Sequence, residues 1–319
     1  MIETHEIEAQ KGLKRVENEP KRVEKGLKRV PFLPQFGLFC IEPVLEIVET
    51  ALFTACVRDE NPVSMILIGP SGIAKSMMLT HYAAAEVRRS DSISSQGLFD
   101  LASTDHKNEL KFLVIPDMNP TLSRKPSTVQ STIASLLSFT ADGTVRIDDG
   151  RHQKECKHAP VGLLTSATDD IYSRNAKKWF ALGLRRRIVP VFFTYTQETT
   201  RKLQKLVREG RIHSTPPPCV KLKLSQKAKP AVSESQLMTI ENYSHRFSVL
   251  LGKLTVHHAE NGQHKWYVRP VVPIAPQIIL TTMLRAHAIR DARAVVTDAD
   301  LDFIARFLDF CDPEHSREI

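Results

Sequence analysis

The sequence predicts an α/β fold, in which a doubly wound, mostly parallel sheet is followed by a small helical domain. Between residues 65 and 193, short apolar runs alternate with segments of helix length, the order expected of parallel strands joined by helical crossovers. A Gly-rich turn at residues 69–76 joins the first of these runs to a helix. After residue 235, the apolar residues recur at helical spacing instead.

Composition places the chain among soluble globular proteins. Of its 319 residues, 42% are hydrophobic and 25% are charged. Every apolar run is much shorter than a membrane span, so we expect no membrane association. The five cysteines are scattered without a C-x-x-C pair. That pattern favours reduced thiols over a disulfide framework, and we expect a cytoplasmic location.

Residues 1–36 form a charged arm that contains a heptad repeat. Residues 11–31 hold eight Lys or Arg and three Glu, so they carry +5 of the formal net charge of +8. Three imperfect copies of seven residues keep an apolar seam at Leu13, Val16, Val23, Leu27 and Val30. Proline and glycine within the repeat weaken any helix. The arm is therefore either a solvated tail or a docking segment for an acidic partner or nucleic acid.

Residues 37–210 are predicted to form the α/β core. An amphipathic helix is expected over residues 42–58, and a second helix follows the capping box at residues 127–130. A hairpin-like stretch covers residues 141–150. Strands are expected at residues 65–68, 98–101, 112–115, 161–164 and 188–193.

The remainder of the chain is predicted to be a connection and a helical domain. Residues 211–235, with three consecutive prolines, are typical of a connection. Residues 236–319 form the helical domain, with apolar helices expected near residues 243–254, 276–290 and 298–310. Thr297 and Asp300 have the spacing of a capping box at the start of the last helix.

Residues 69–76 match a phosphate-binding loop at all but one position. A short apolar strand precedes the loop and a helix follows it, so backbone N–H groups can point at phosphate oxygens. Lys75 would contact the terminal phosphates, and the Ser76 hydroxyl would hold magnesium. Ala74 replaces the glycine of the G-x-x-x-x-G-K-[ST] pattern, and its methyl group costs little only if φ is negative. The predicted ligand-binding residues are Gly69, Pro70, Ser71, Gly72, Ile73, Ala74, Lys75 and Ser76.

An ordinary strand-to-helix turn that happens to contain Gly, Lys and Ser is the alternative. A second feature of the sequence, an acidic residue at the end of an apolar run, favours phosphate binding. Asp117 follows the apolar run at residues 112–115, where an aspartate would hold magnesium directly or through water. The next residue is Met118, whose thioether cannot accept a proton from water.

The order of these motifs resembles that of AAA+ P-loop ATPases. The branch concerned contains MoxR-type chaperone ATPases, magnesium chelatases and minichromosome-maintenance helicases, which show a helix, a hairpin and then an apolar strand with a polar sensor residue. Thr168 is similar in position to that sensor. Residues 181–192 resemble the segment whose arginine reaches the neighbouring subunit's nucleotide, with Arg187 the best match and Arg186 the second. Residues 284–297 resemble the helical lid, although Ala275 lies where a second sensor arginine is usual.

The resemblance implies a P-loop (AAA+) sheet followed by a helical lid, with ATP and Mg²⁺ as ligands. It also implies a homo-oligomeric ring or spiral that remodels a protein or nucleic-acid partner, with Lys75, Asp117, Thr168, Arg187 and Arg186 as catalytic residues. Met118 replaces the glutamate that usually activates water in this family. The alternative is therefore an ATP-locked oligomeric scaffold or regulator with slow or absent hydrolysis.

Overall fold

The computed structural model describes residues 40–148, 153–210, 219–257, 264–268, 270–315 and 317–318. The predicted charged arm at residues 1–36 lies outside the described residues, as do residues 211–218 of the predicted connection. Within the described part of the chain, no helix is long and apolar enough to cross a membrane.

The described residues include twelve strands and ten α-helices. The strands are β1 (Ser64–Ile68), β2 (Tyr82–Ala83), β3 (Val87–Arg89), β4 (Phe112–Ile115), β5 (Thr144–Asp148), β6 (Gln153–Lys157), β7 (Gly162–Ala167), β8 (Ile188–Thr194), β9 (Val220–Lys221), β10 (Lys253–His257), β11 (His264–Val268) and β12 (Arg317–Glu318). The helices are α1 (Glu42–Phe53), α2 (Lys75–Thr80), α3 (Ser95–Thr104), α4 (Asn119–Leu122), α5 (Pro126–Ala141), α6 (Asp169–Ala181), α7 (Gln197–Arg208), α8 (Glu234–Gly252), α9 (Ile274–Arg290) and α10 (Asp298–Phe310).

The main sheet has the strand order β12-β8-β1-β7-β4-β3, and every neighbouring pair in it is parallel. This confirms the predicted α/β class and its mostly parallel sheet. Strand β5 lies within the hairpin-like stretch predicted at residues 141–150, and it pairs antiparallel with β6, which lies beyond the predicted stretch. A second antiparallel hairpin, β10–β11, was not predicted and lies between α8 and α9.

The sheet separates two hydrophobic cores, which is why its strands are apolar without alternation. On β1, Met65 and Leu67 belong to one core, whereas Ile66 and Ile68 belong to the other. The first core also contains α1 and the C-terminal helices α8, α9 and α10. The second contains α3, α5 and α6. The C-terminal helices therefore share a continuous core with α1 and one face of the sheet.

One predicted strand is wrong. Residues 98–101 lie in the helix α3, which begins because the Ser94 side chain accepts a hydrogen bond from the Gly97 N–H. Leu98 and Ala102 are its buried residues, and they are four positions apart, as one face of a helix requires. The strand that neighbours β4 is instead β3, whose exposed Arg88 and Arg89 give it no apolar signal.

The start of α10 confirms the predicted capping box at Thr297 and Asp300. Asp300 also belongs to a buried polar network that joins α1, α9 and α10. The two ring nitrogens of His287 contact Asp300 on one side and Glu46 of α1 on the other. Arg290 donates to Glu46 at 3.0 Å, and Arg293 donates to Asp300 at 2.6 Å. The network pins the C-terminal helices to α1.

Charge pairing sets the ionisation of this network. Burial raises the pKa of Glu46, but hydrogen bonds from His287 and Arg290 outweigh burial and lower the pKa to about 2. Burial similarly opposes ionisation of His287, yet its carboxylate partners Asp300 and Glu46 raise the pKa of the imidazole. The folded protein therefore favours the charged form of both side chains.

We expect the stability of the protein to fall on both sides of a pH window, because these pKa values differ from those of the unfolded chain. Glu46 has a lowered pKa, so its contribution is present above the ordinary value of 4.5 and is lost as pH falls towards 2. The contribution of Glu46 is roughly 3 kcal/mol. His287 has a raised pKa, so its contribution is present below 6.5 and declines as pH rises above that value.

Urea unfolding across this pH range measures the effect, and Glu46→Gln provides the variant. At neutral pH this variant should lose about 3 kcal/mol of unfolding free energy, because it leaves His287 and Arg290 short of a buried counter-charge. Glu42→Gln is the matched control, since Glu42 is exposed in the first turn of the same helix. Equal acid sensitivity in the Glu46→Gln variant and the wild type would contradict the assignment.

Candidate functional site

The candidate site lies at the carboxyl end of β1, in the middle of the main sheet. β1 pairs with β7 on one side and with β8 on the other, and the loop at residues 69–74 connects it to α2. After β1 the chain forms β3, β4 and β7 on one side of β1, and it then crosses to form β8 on the other side. This reversal of strand order leaves a crevice at the strand ends, where ligands of open α/β sheets bind.

The loop needs glycine at its first position because the backbone of β8 approaches it closely. A Cβ atom on Gly69 would lie 2.3 Å from the Phe193 carbonyl oxygen and 2.5 Å from Ile73 Cδ1. Gly72 has a φ of +85°, in the left-handed region that favours glycine. Both glycines of the predicted motif therefore have a structural reason to be glycine.

Ala74 lies in the left-handed conformation, with φ +61° and ψ 19°, immediately before α2. The sequence permitted an inexpensive alanine only if φ were negative, and the structure excludes that condition. For an L-amino acid this conformation costs roughly 1–2 kcal/mol, because Cβ crowds the following carbonyl. The loop is thus strained at the one position where it departs from the phosphate-loop pattern.

Lys75 is buried at the start of α2, and its ammonium group is held inside the loop. The Nζ atom donates to the carbonyl oxygens of Gly69 at 2.7 Å and Pro70 at 2.6 Å. Burial lowers the pKa of Lys75, while the nearby carboxylates of Asp169 and Asp117 oppose that shift. The two loop carbonyls therefore hold the ammonium group of Lys75 in place.

Ser76 and Asp117, the two predicted magnesium ligands, are brought together through β4. The Ser76 hydroxyl donates to the Pro116 carbonyl at 3.1 Å, and Pro116 immediately precedes Asp117. The Asp117 carboxylate accepts from the Asn119 N–H at 2.9 Å. Asn119 Oδ1 is buried and has no hydrogen-bond partner among the described residues. A hydroxyl, a carboxylate and a free amide oxygen are the hard oxygen donors that Mg²⁺ prefers.

A cavity of about 230 Å³ gathers most of the predicted site residues. Lys75, Ser76, Asp117, Asn119 and Thr168 all line it. Thr168 lies there because β7 is hydrogen-bonded between β1 and β4, so its carboxyl end faces both the loop and Asp117. A larger cavity of about 510 Å³ shares Ser71 and Gly72 with it and extends to Tyr195 and α7.

Met118 does not face this cavity. Its side chain is only 2% exposed and belongs to the second hydrophobic core, alongside Ile115 and Ala167. The Met118 N–H donates to the Ser166 carbonyl at 3.0 Å, which ties the end of β4 to β7. The position that follows Asp117 is thus a packing position in this protein.

Sequence reasoning missed Asp169. It is the first residue of α6 and directly follows Thr168, so it lies at the same edge of the sheet as the loop at residues 69–74. Burial raises the pKa of Asp169, and the charge of Lys75 partly offsets that rise. The signal that could have found it is the one that identified Asp117, an acidic residue just beyond an apolar strand.

Arg186 and Arg187 lie away from the other site residues. Both are exposed and immediately precede β8. Ile188 pairs with Ser64, the first residue of β1, so the two arginines are at the amino ends of the strands. The five residues of β1 separate that edge from the loop. Their four residue-to-residue steps span about 13 Å. Within one chain, these arginines and the loop at residues 69–74 are on opposite edges of the sheet.

The arrangement offers a cation, a set of hard oxygen ligands and an adjoining cavity, a combination suited to an anionic ligand with a divalent metal. No protein-family model matches the chain, and no curated protein matches it. Any functional assignment therefore depends on the site residues and their contacts.

Replacing Ala74 with glycine should stabilise the protein. Glycine relieves the left-handed strain but gains entropy in the unfolded chain, so the net increase in unfolding free energy should be about 0.5–1 kcal/mol. Chemical denaturation measures this difference. Ala102→Gly, inside α3, is the matched control and should instead destabilise by about 1 kcal/mol. A loss of stability in Ala74→Gly would show that the alanine methyl group contributes packing that outweighs its strain.

Proposed function

We propose that this chain is an AAA+ nucleotide-binding protein, in which residues 69–76 bind ATP with Mg²⁺. The observation that carries the proposal is the shared cavity lined by Lys75, Ser76, Asp117 and Thr168. These residues come from three separate stretches of the chain, and the sheet order brings them to one edge. An accidental strand-to-helix turn would have no reason to meet an aspartate and a polar strand end there.

Charge complementarity and size support a nucleoside triphosphate as the ligand. The phosphates would occupy the cavity beside Lys75, where backbone N–H groups at the start of α2 also point. The adjoining cavity of about 510 Å³ is within the range of small-molecule sites and would take the nucleoside. Ser76 and Asp117 would hold Mg²⁺, which when bound neutralises charge on the phosphate oxygens.

Lys75→Ala tests the binding proposal. It removes a charge-assisted contact worth about 1.5–3 kcal/mol, so the dissociation constant for MgATP should rise roughly 10- to 100-fold in a calorimetric titration. Lys107→Ala, at an exposed lysine away from the cavity, is the matched control. Equal affinity in the wild type and the Lys75→Ala variant would reject residues 69–76 as the phosphate site.

We further propose that the protein assembles into a ring or spiral. Arg187 and Arg186 are on the edge of the sheet opposite to their own loop, so they would serve the nucleotide of a neighbouring copy. A guanidinium supplied in this way stabilises charge on the transferring phosphoryl group. The proposed role of the assembly is ATP-driven remodelling of a protein or nucleic-acid partner in the cytoplasm, with the basic arm as a docking segment.

The assembly proposal predicts an oligomer larger than a dimer when a slowly hydrolysed ATP analogue is present, measured by light scattering. Arg187→Ala should lower turnover roughly 10³-fold while leaving MgATP affinity nearly unchanged, because the arginine acts on the transition state of another subunit. Arg186→Ala tests the second match. Arg58→Ala, an exposed arginine just before β1, is the control. A monomer at micromolar concentration under these conditions would contradict the shared site.

A second candidate is an ATP-locked scaffold or regulator with slow or absent hydrolysis. The residue after Asp117 favours it, because Met118 has no carboxylate to activate water. The two candidates share the same nucleotide site and differ only in turnover.

A further inference from the structure

Hydrolysis at the proposed site would need a group that accepts a proton from water, and the residue after Asp117 cannot supply it. Met118 packs in the core and has no basic atom. Among the described residues, three other carboxylates near the relevant strands deserve comparison: Asp105, Glu109 and Asp169. They differ in the edge of the sheet at which they lie.

Asp105 and Glu109 lie on the wrong edge of the sheet. They precede β4, so they are at its amino end, whereas the phosphate loop faces the carboxyl ends. The Asp105 carboxylate is also committed to structure. It accepts from the Leu110 N–H at 2.6 Å and contacts His158 Nε2 at 2.8 Å. These contacts stabilise the turn into β4 and leave Asp105 no access to a phosphate.

Asp169 lies on the correct edge. It follows Thr168, which lines the cavity that holds Lys75 and Asp117. Strand β7 pairs with β1 and with β4 through two parallel ladders, so α6 begins at the same edge of the sheet as the loop. The side chain is half-buried and interacts electrostatically with Lys75.

The local environment of Asp169 suits proton transfer better than metal binding. Burial raises its pKa, which makes the carboxylate a stronger base than an exposed aspartate. Asp117 has a different role, because its carboxylate is oriented by the Asn119 N–H beside the Ser76 hydroxyl. Asp117 therefore lines the cavity beside the oxygen ligands, whereas Asp169 follows the lining residue Thr168, and both carboxylates interact with Lys75.

We propose that Asp169 is the catalytic base of this site and replaces the glutamate that Met118 cannot provide. The inference rests on the proposed ATP-binding function. Asp169 takes a proton from a water molecule as the water oxygen forms a bond to the γ-phosphorus. The bond from the γ-phosphorus to the β,γ-bridging oxygen breaks, and ADP leaves with that electron pair. Asp169 then returns its proton to solvent.

Asp169→Asn tests this role with two measurements on the full-length protein. Phosphate release in the presence of MgATP should slow by about 100-fold, the lower limit for loss of a general base. MgATP affinity, measured by calorimetry, should stay equal or become tighter, because the variant removes a negative charge beside the phosphates. Asp170→Asn is the matched control, since Asp170 is exposed and pairs with Arg174 on the surface of α6. Asp169→Glu should retain more turnover than Asp169→Asn.

The results separate this inference from the nucleotide-binding proposal. Weaker MgATP binding in Asp169→Asn would overturn it, because that outcome means that Asp169 positions Lys75 or the metal. Unchanged turnover would overturn it as well, as would a wild-type protein that binds MgATP without hydrolysing it. In the last two cases ATP binding at residues 69–76 stands. Failure of the wild type to bind MgATP would instead reject the nucleotide site itself, together with Asp169 as its base.

Discussion

Burial of β1 on both faces is the constraint on which the rest of this structure depends. Every residue of β1 is buried, with successive side chains entering opposite cores. A strand that is buried on both faces and paired on both edges is accessible to other groups only at its two ends. The chain must therefore leave the sheet at Ile68 through a turn that fits beneath β8. The loop at residues 69–74 is the turn that results, and its geometry follows from the position of β1.

The same constraint explains why the backbone of the loop is closely determined by its neighbours and is also strained. Gly69 is fixed by the backbone of β8, and Lys75 by two carbonyls of the loop. Ala74 must then adopt a left-handed conformation to begin α2 in register. Strain of this kind persists only where the surrounding structure determines the backbone, and it is frequent at ligand sites. The backbone of the loop is thus determined by its contacts with β8 and Lys75.

Local signals in the sequence predicted most of the sheet, because strands buried on both faces are short apolar runs. β1, β4, β7 and β8 were found in this way. The edge strand β3 was missed, because two of its three residues are exposed arginines. The run at residues 98–101 was mistaken for a strand, because four residues are too few to separate a helical period from an extended one. The hairpin β10–β11 was not anticipated either.

The site was predictable only in part, for a related reason. Lys75, Ser76 and Asp117 belong to motifs with fixed spacing, and the sequence shows these directly. The position of Asp169 near the loop depends on which strand lies between β1 and β4, and the strand order is a property of the tertiary structure. The resemblance of residues 284–297 to a lid stays a prediction, and the contacts of His287 and Arg290 with Glu46, which join α9 to α1, are not visible in that resemblance. Pattern alone does not separate these roles.

The burial of Met118 also changes how the motor and scaffold hypotheses can be separated. Restoring glutamate at this position is the obvious experiment if the residue faces the phosphates. Because Met118 belongs to the core, Met118→Glu would bury a carboxylate without a partner, at a cost of several kcal/mol. Lost activity in that variant would reflect unfolding near β4 and say nothing about water activation. The distinction between a slow scaffold and a working ATPase is therefore better tested at Asp169, which begins α6 at the same edge of the sheet as the loop.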